Sequence, residues 1–121
     1  MREILFRGKR KLGNEWIEGS LHTEKFADDE EYLCCEINQC DVYPETVGQY
    51  TGLKDKNGKR IFEGDICKHR SNYSGNTVIS VVTYTDGHFL ALVCENSGFE
   101  LSEKLEVIGN IHDNGDLLKG E

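Results

Sequence analysis

Five cysteines and four histidines are the residues of this 121-residue chain with the most chemical reach. A nucleophilic site needs a Ser or Cys beside a histidine and an orienting acid. Cys67 and His69 stand two apart, a spacing that puts both on one face of a strand. The other histidines, His22, His88 and His112, are scattered. Cys34-Cys35 followed by Cys40 is the other cluster, and with Cys67 and His69 it could be imagined as a zinc set. It lacks the short paired knuckles of structural zinc sites, so no metal and no cofactor are expected. An odd number of cysteines, two of them adjacent, is also a poor disulfide framework. Reduced thiols that pack as small hydrophobes fit better.

Carboxylates are abundant, and Asp55 and Asp65 stand out because each flanks a glycine turn. Aspartate in such places binds its own backbone, and that reading outweighs a catalytic one. No phosphate-cradling glycine loop is present. No catalytic residue and no small-molecule substrate are therefore assigned, and the chain is not expected to be an enzyme. Tyr50, Phe62 and Tyr84 are possible stacking surfaces, with Phe62 the most core-like of the three.

Charge is segregated along the chain. The net charge is −8, yet residues 27–48 hold seven acids and no Lys or Arg, while residues 49–70 hold six basic and three acidic groups. The overall sign disfavours a general nucleic-acid binder, whose affinity comes from neutralising phosphates. Two basic segments remain as candidate contacts: Arg7, Lys9 and Arg10 in the first, and Lys54, Lys56, Lys59 and Arg60 in the second, with Tyr50 beside the latter. A protein partner or self-association into a homo-oligomer is the expected use of such charge. Nucleic-acid binding through the same two segments is the alternative.

The elements that must hold these residues are short strands. Glycine occurs thirteen times and proline once, and apolar or alternating runs sit between Gly, Asn and Asp punctuation. EILFRGKR and EWIEGSLH read as a hairpin turning at residues 11–14, with Gly19 as a bulge. TEKFADDEE reads as an acidic loop, and YLCCEI as a strand turned by NQCD. Asn57-Gly58 predicts a type I′ hairpin turn, and Glu63-Gly64-Asp65 a second turn. TVISVVTYT and HFLALVCE, joined at Asp86-Gly87, form the clearest strand pair, expected to be buried on both faces. FELSEKLE is the best helix candidate. VIGNI is a last strand, and residues 113–118 a terminal turn. No run reaches the roughly 18 apolar residues of a membrane helix, and MREILFRGKRK has no secretion-signal pattern, so a cytoplasmic chain is expected. Strands at intervals of about ten residues predict a mainly β fold, a small barrel or bent sheet.

The run ETVGQYTGLKDKNGKRIFEGDICK resembles the YopX family of small phage and prophage proteins. The family's Thr-Gly-Leu-x-Asp-x-x-Gly, then an aromatic and Glu-Gly-Asp, is met at Thr51, Gly52, Leu53, Asp55, Gly58, Phe62, Glu63, Gly64 and Asp65, with Tyr50, Ile61 and Ile66 also matching. ILFRGK, YTDGHFLAL and LEVIGNIHDNGDLL are similar to the family's opening, central hairpin and close. The family often has Asn-Pro where this chain has Asn114-Gly115, which makes the terminal turn less rigid. The resemblance implies an SH3-like barrel element with extra strands and at most one or two short helices. The expected layout is a single β-rich domain, with an N-terminal subdomain (about 1–48) on a barrel (about 49–118). It implies a viral or prophage origin in a bacterial cytoplasm, and no reaction.

Overall fold

Alternating side chains and glycine turns produce strands almost throughout. The structure, a computed structural model, describes residues 4–25, 33–70, 75–85, 87–94, 97–102 and 104–115. The chain divides into two compact units, Met1–Tyr50 and Thr51–Glu121. Among the described residues there is no α-helix, only a 3₁₀ turn at Pro44–Thr46.

The first unit holds β1 (Phe6–Lys9), β2 (Trp16–Gly19), β3 (Leu21–Lys25), β4 (Leu33–Ile37), β5 (Cys40–Asp41) and the start of β6 (Gly48–Lys54). β1 and β2 pair antiparallel from Phe6↔Gly19 to Lys9↔Trp16, as the turn at residues 11–14 predicts. That ladder runs without a register break, so Gly19 is not a bulge. Its lack of a side chain serves Asn38 instead: a Cβ on Gly19 would lie 2.3 Å from the Asn38 amide, which donates to the Glu18 carbonyl at 3.0 Å. β3, β4 and β5 form a meander. Asn38 (φ 50°) and Gln39 (φ 69°) make its two-residue β4–β5 turn, and positive φ at both positions is the type I′ geometry that suits strand twist. Alternation along β4 points Cys35 and Ile37 to one face. There, with Val42, they form a buried cluster flanked by Phe6, Ile17, Leu21 and Val47. The expected acidic loop falls mostly outside the described residues, although Thr23–Lys25 belong to β3.

The second unit contains the end of β6, β7 (Arg60–Phe62), β8 (Asp65–Arg70), β9 (Thr77–Thr85), β10 (His88–Cys94), β11 (Ser97–Glu100) and β12 (Glu106–Asn110). The last five form an antiparallel sheet in the order β11-β10-β9-β8-β12. The chain therefore crosses from one edge at β11 to the other at β12. Its core is Ile61, Cys67, Val82, Ala91 and Leu105, flanked by Leu53, Leu101 and Val107. The sheet curls into a barrel-like element, and the fold is mainly β.

Two expectations are corrected in this unit. The described residues of the 99–106 segment are not helical: Phe99 and Glu100 pair with β10, and Glu106 begins β12. The segment is too short to nucleate an isolated helix, and the β10 edge offers a ready backbone ladder. Leu101 and Leu105 still reach the core, but from an irregular crossover. The β9–β10 pair is not buried on both faces either. Ser80, Val82 and Ala91 are buried on one face, while Ile79, Val81, Leu90 and Leu92 on the other are half-buried. Of the terminal turn, residues 116–118 lie outside the described residues.

Candidate contact surface

The β6–β7 hairpin is built around one carboxylate. The Asp55 N–H donates to the Lys59 carbonyl at 2.7 Å, and the Gly58 N–H donates to the Asp55 carbonyl at 2.9 Å. Gly58 takes φ 83° while Asn57 keeps a negative φ. The turn is thus a three-residue type I turn closed by a left-handed glycine, and not the type I′ turn that Asn57-Gly58 predicts. Asp55 explains the difference. Its Oδ1 accepts the N–H groups of Asn57 and Lys59, both at 2.9 Å, which draws the loop around the side chain as an Asx turn does. Its Oδ2 accepts the Val107 N–H at 2.9 Å. The Lys56 N–H donates to the Leu105 carbonyl at 3.0 Å. One buried side chain, 5% exposed, therefore organises the tip and stitches it to the start of β12.

Burial alone would push the Asp55 pKa up. The N–H groups of Val107, Lys59 and Asn57, with the Lys59 ammonium, outweigh it and hold the pKa below its ordinary 3.8. Asp65 plays the same part at the next turn, where its Oδ2 accepts the Phe62 N–H at 2.7 Å. The Gly64 N–H donates to the Val82 carbonyl, and the Ile111 N–H to that of Gly64, each at 2.9 Å. Both aspartates act on backbone, as their position in the sequence predicts.

This framework displays cations. Lys54, Lys56 and Lys59 are exposed and Arg60 is half-buried. Register and closure add two more that lie outside the sequence segment. Lys68 on β8 faces Glu106 across the β8–β12 ladder. The Glu106 carboxylate lies 3.4 Å from the Lys56 ammonium and 3.7 Å from that of Lys68. Lys104 is exposed and precedes Leu105, the residue that accepts the Lys56 N–H. Nothing in the spacing of 68 and 104 announces this neighbourhood, because it depends on β12 pairing with β8.

The other candidate residues have different surroundings. Arg7 is 9% exposed, and its guanidinium lies 4.9 Å from the centroid of the Trp16 ring. The Lys9 ammonium lies 5.8 Å from the same ring. Cation–π packing of this kind uses Arg7 within the first unit and leaves it little surface. Arg10 is half-buried and pairs with Glu15. It borders an open cleft of about 330 Å³ that also meets Glu36, Gln39 and Cys40. Tyr50 is 4% exposed, too buried to stack on a ligand, and Phe62 at 2% is core. Tyr84 is 51% exposed and packs edge-on against Phe89, with centroids 4.9 Å apart.

Cys67 is fully buried in the core. Burial first, then the charges of Asp65 and Asp55, push its thiol pKa up to about 12, so it is a neutral packing group near pH 7 and no nucleophile. Cys35 is buried and Cys40 half-buried, both as free thiols. The side chains of Cys34 and Cys94 lie outside the described residues. Among the described residues, no three His, Cys, Asp or Glu side chains converge in a metal-binding group. Also among them, no helix is long and apolar enough to cross a membrane.

A family model described as YopX protein matches residues 5–119, a span that takes in the Asp55 hairpin, its β12 clasp and both cores. The chain belongs to the YopX family. The match agrees with the motif at Thr51–Asp65, whose Asp and Gly residues are now seen to build the clasped hairpin and the Gly64 turn. Among solved structures, this YopX-family chain is similar to protein EF1440 from Enterococcus faecalis. The two are 26% identical, with a TM-score of 0.61 over 98% of this chain and 99% of the other. No curated protein matches the chain.

Proposed function

We propose that this YopX-family chain is a non-enzymatic protein-interaction module that works in a bacterial cytoplasm as a phage- or prophage-type protein, and that it self-associates. The observation that carries the reading is the Asp55 clasp. A buried carboxylate with three backbone donors fixes a hairpin whose exposed charged side chains are lysines. A rigid loop loses little conformational freedom on binding, so its contacts are retained as affinity. Its charge contrasts with a chain of net −8, and such contrast orients one acidic protein on another.

The test is light scattering of the purified chain across a concentration series, for the wild type and for a variant carrying Lys54→Glu, Lys56→Glu and Lys59→Glu. The wild type is expected to exceed the monomer mass as concentration rises, with the increase lost in the variant and in high salt. A wild type that stays monomeric throughout would remove self-association from the proposal.

A further inference from the structure

The lysines around the clasped hairpin already hold a carboxylate. Glu106 sits between Lys56 and Lys68, its side chain 28% exposed against 55% and 45% for the two lysines. It is therefore the least exposed of the three, held between two ammonium groups. Lys54, Lys59 and Lys104 are exposed on the same hairpin and its crossover. With Arg60, the hairpin, its crossover and the facing strand β8 thus carry six positive groups, two of them paired to Glu106, in a chain whose overall charge is strongly negative.

We infer that this cluster is a docking site for a carboxylate-rich protein segment, with Glu106 as an internal placeholder that an incoming carboxylate displaces. The inference rests on the interaction-module reading and adds the chemistry of the partner. Three features favour carboxylates over a nucleic-acid backbone. Five of the six cations are lysines, point charges without the planar fork that makes arginine the bidentate phosphate binder. The seat between Lys56 and Lys68 is filled by a carboxylate at ion-pair distance. A long polyanion would meet the repulsion of the whole chain, whereas a short acidic segment meets only the local patch.

The placeholder makes a signed prediction. Glu106→Gln keeps the shape of the side chain and frees two ammonium groups. Exposed ion pairs of this kind are worth up to about 1 kcal/mol, so the variant should bind an acidic peptide about two- to fivefold more tightly.

The experiment is fluorescence anisotropy at low ionic strength with a labelled deca-glutamate peptide and, separately, a labelled ten-nucleotide single strand. Binding is measured to the wild type, to Glu106→Gln and to the triple Lys54→Glu, Lys56→Glu, Lys59→Glu variant, with far-UV circular dichroism confirming each fold. Peptide binding by the wild type, tightened in Glu106→Gln and lost in the triple variant, is the expected result. No peptide binding by the wild type, an unchanged or weakened Glu106→Gln, or tighter binding of the nucleotide strand than of the peptide would each overturn the inference. Peptide binding by a chain that stays monomeric in light scattering would leave this site standing and remove only self-association.

Discussion

Replacing Asp55 by asparagine should loosen the whole second unit. The wild-type carboxylate accepts three backbone N–H groups at 2.9 Å, two on Oδ1 and one on Oδ2. Asparagine has one acceptor oxygen, so it can serve either the loop pair or Val107, while its NH₂ faces the remaining donor. Hydrogen bonds to a charged group contribute about 1.5–3 kcal/mol each, and a stranded buried donor adds its own desolvation cost. Asp55→Asn should therefore cost about 2–4 kcal/mol, and Asp55→Ala, which strands all three donors, about 4 kcal/mol or more. Either is a large share of the roughly 5–15 kcal/mol that holds a domain together. Urea unfolding followed by far-UV circular dichroism reads these values as shifts in midpoint.

The sign with pH provides a second reading of the same group. The folded-state pKa of Asp55 is lowered below 3.8. Its contribution is therefore complete above the unfolded-state value and is lost as pH falls through the lower folded-state value. The gap in stability between wild type and Asp55→Asn should be constant near neutrality and shrink below pH ~4. A loss under about 0.5 kcal/mol in both variants, or a gap indifferent to acid, would refute the clasp as the organiser of the tip.

Three smaller effects follow from other positions. Gln39 holds φ 69° in the β4–β5 turn, a conformation that costs a side chain about 1–2 kcal/mol; Gln39→Gly should raise stability by about 0.5 kcal/mol after its own entropy loss, read as a higher Tm. The Ser80 hydroxyl is buried with no hydrogen-bond partner among the described residues, so Ser80→Ala should leave stability unchanged or raise it by up to about 1 kcal/mol; a loss of similar size in urea unfolding would reveal a partner. The Cys67 thiol, at a pKa of about 12 and fully buried, should resist a thiol reagent at pH 8 until the protein unfolds, whereas half-exposed Cys40 should be labelled in the native state, as peptide mapping by mass spectrometry would show.

Local chemistry was readable where it is self-contained. The strand alternation of YLCCEI places Cys35 and Ile37 on the core face. The β9–β10 pair is announced by β-branched and aromatic runs around Asp86-Gly87. The aspartate-on-backbone reading of Asp55 and Asp65 also needs only their neighbours. What escaped depends on long-range pairing. Asn57-Gly58 has the sequence of a type I′ turn, yet the Asp55 carboxylate, itself fixed by Val107 on a strand 52 positions away, selects another turn. FELSEKLE has helix-like leucine spacing, but the open edge of β10 captures its first residues. Lys68 and Lys104 join the basic cluster only because β12 pairs with β8, across a bulge between Val107 and Gly109. Gly19 resembles a bulge residue until Asn38 is seen occupying its missing side chain.

Heteronuclear NMR of the wild type titrated with the deca-glutamate peptide tests the contact surface most directly. Backbone amide shifts should move at Lys54–Arg60, at Lys68 and at Lys104–Val107, while Phe6–Gly19 in the first unit stay still. Shifts confined to Phe6–Gly19, or no shift in the hairpin at saturating peptide, would contradict the assignment of the Asp55 hairpin as the face this chain presents to its partners.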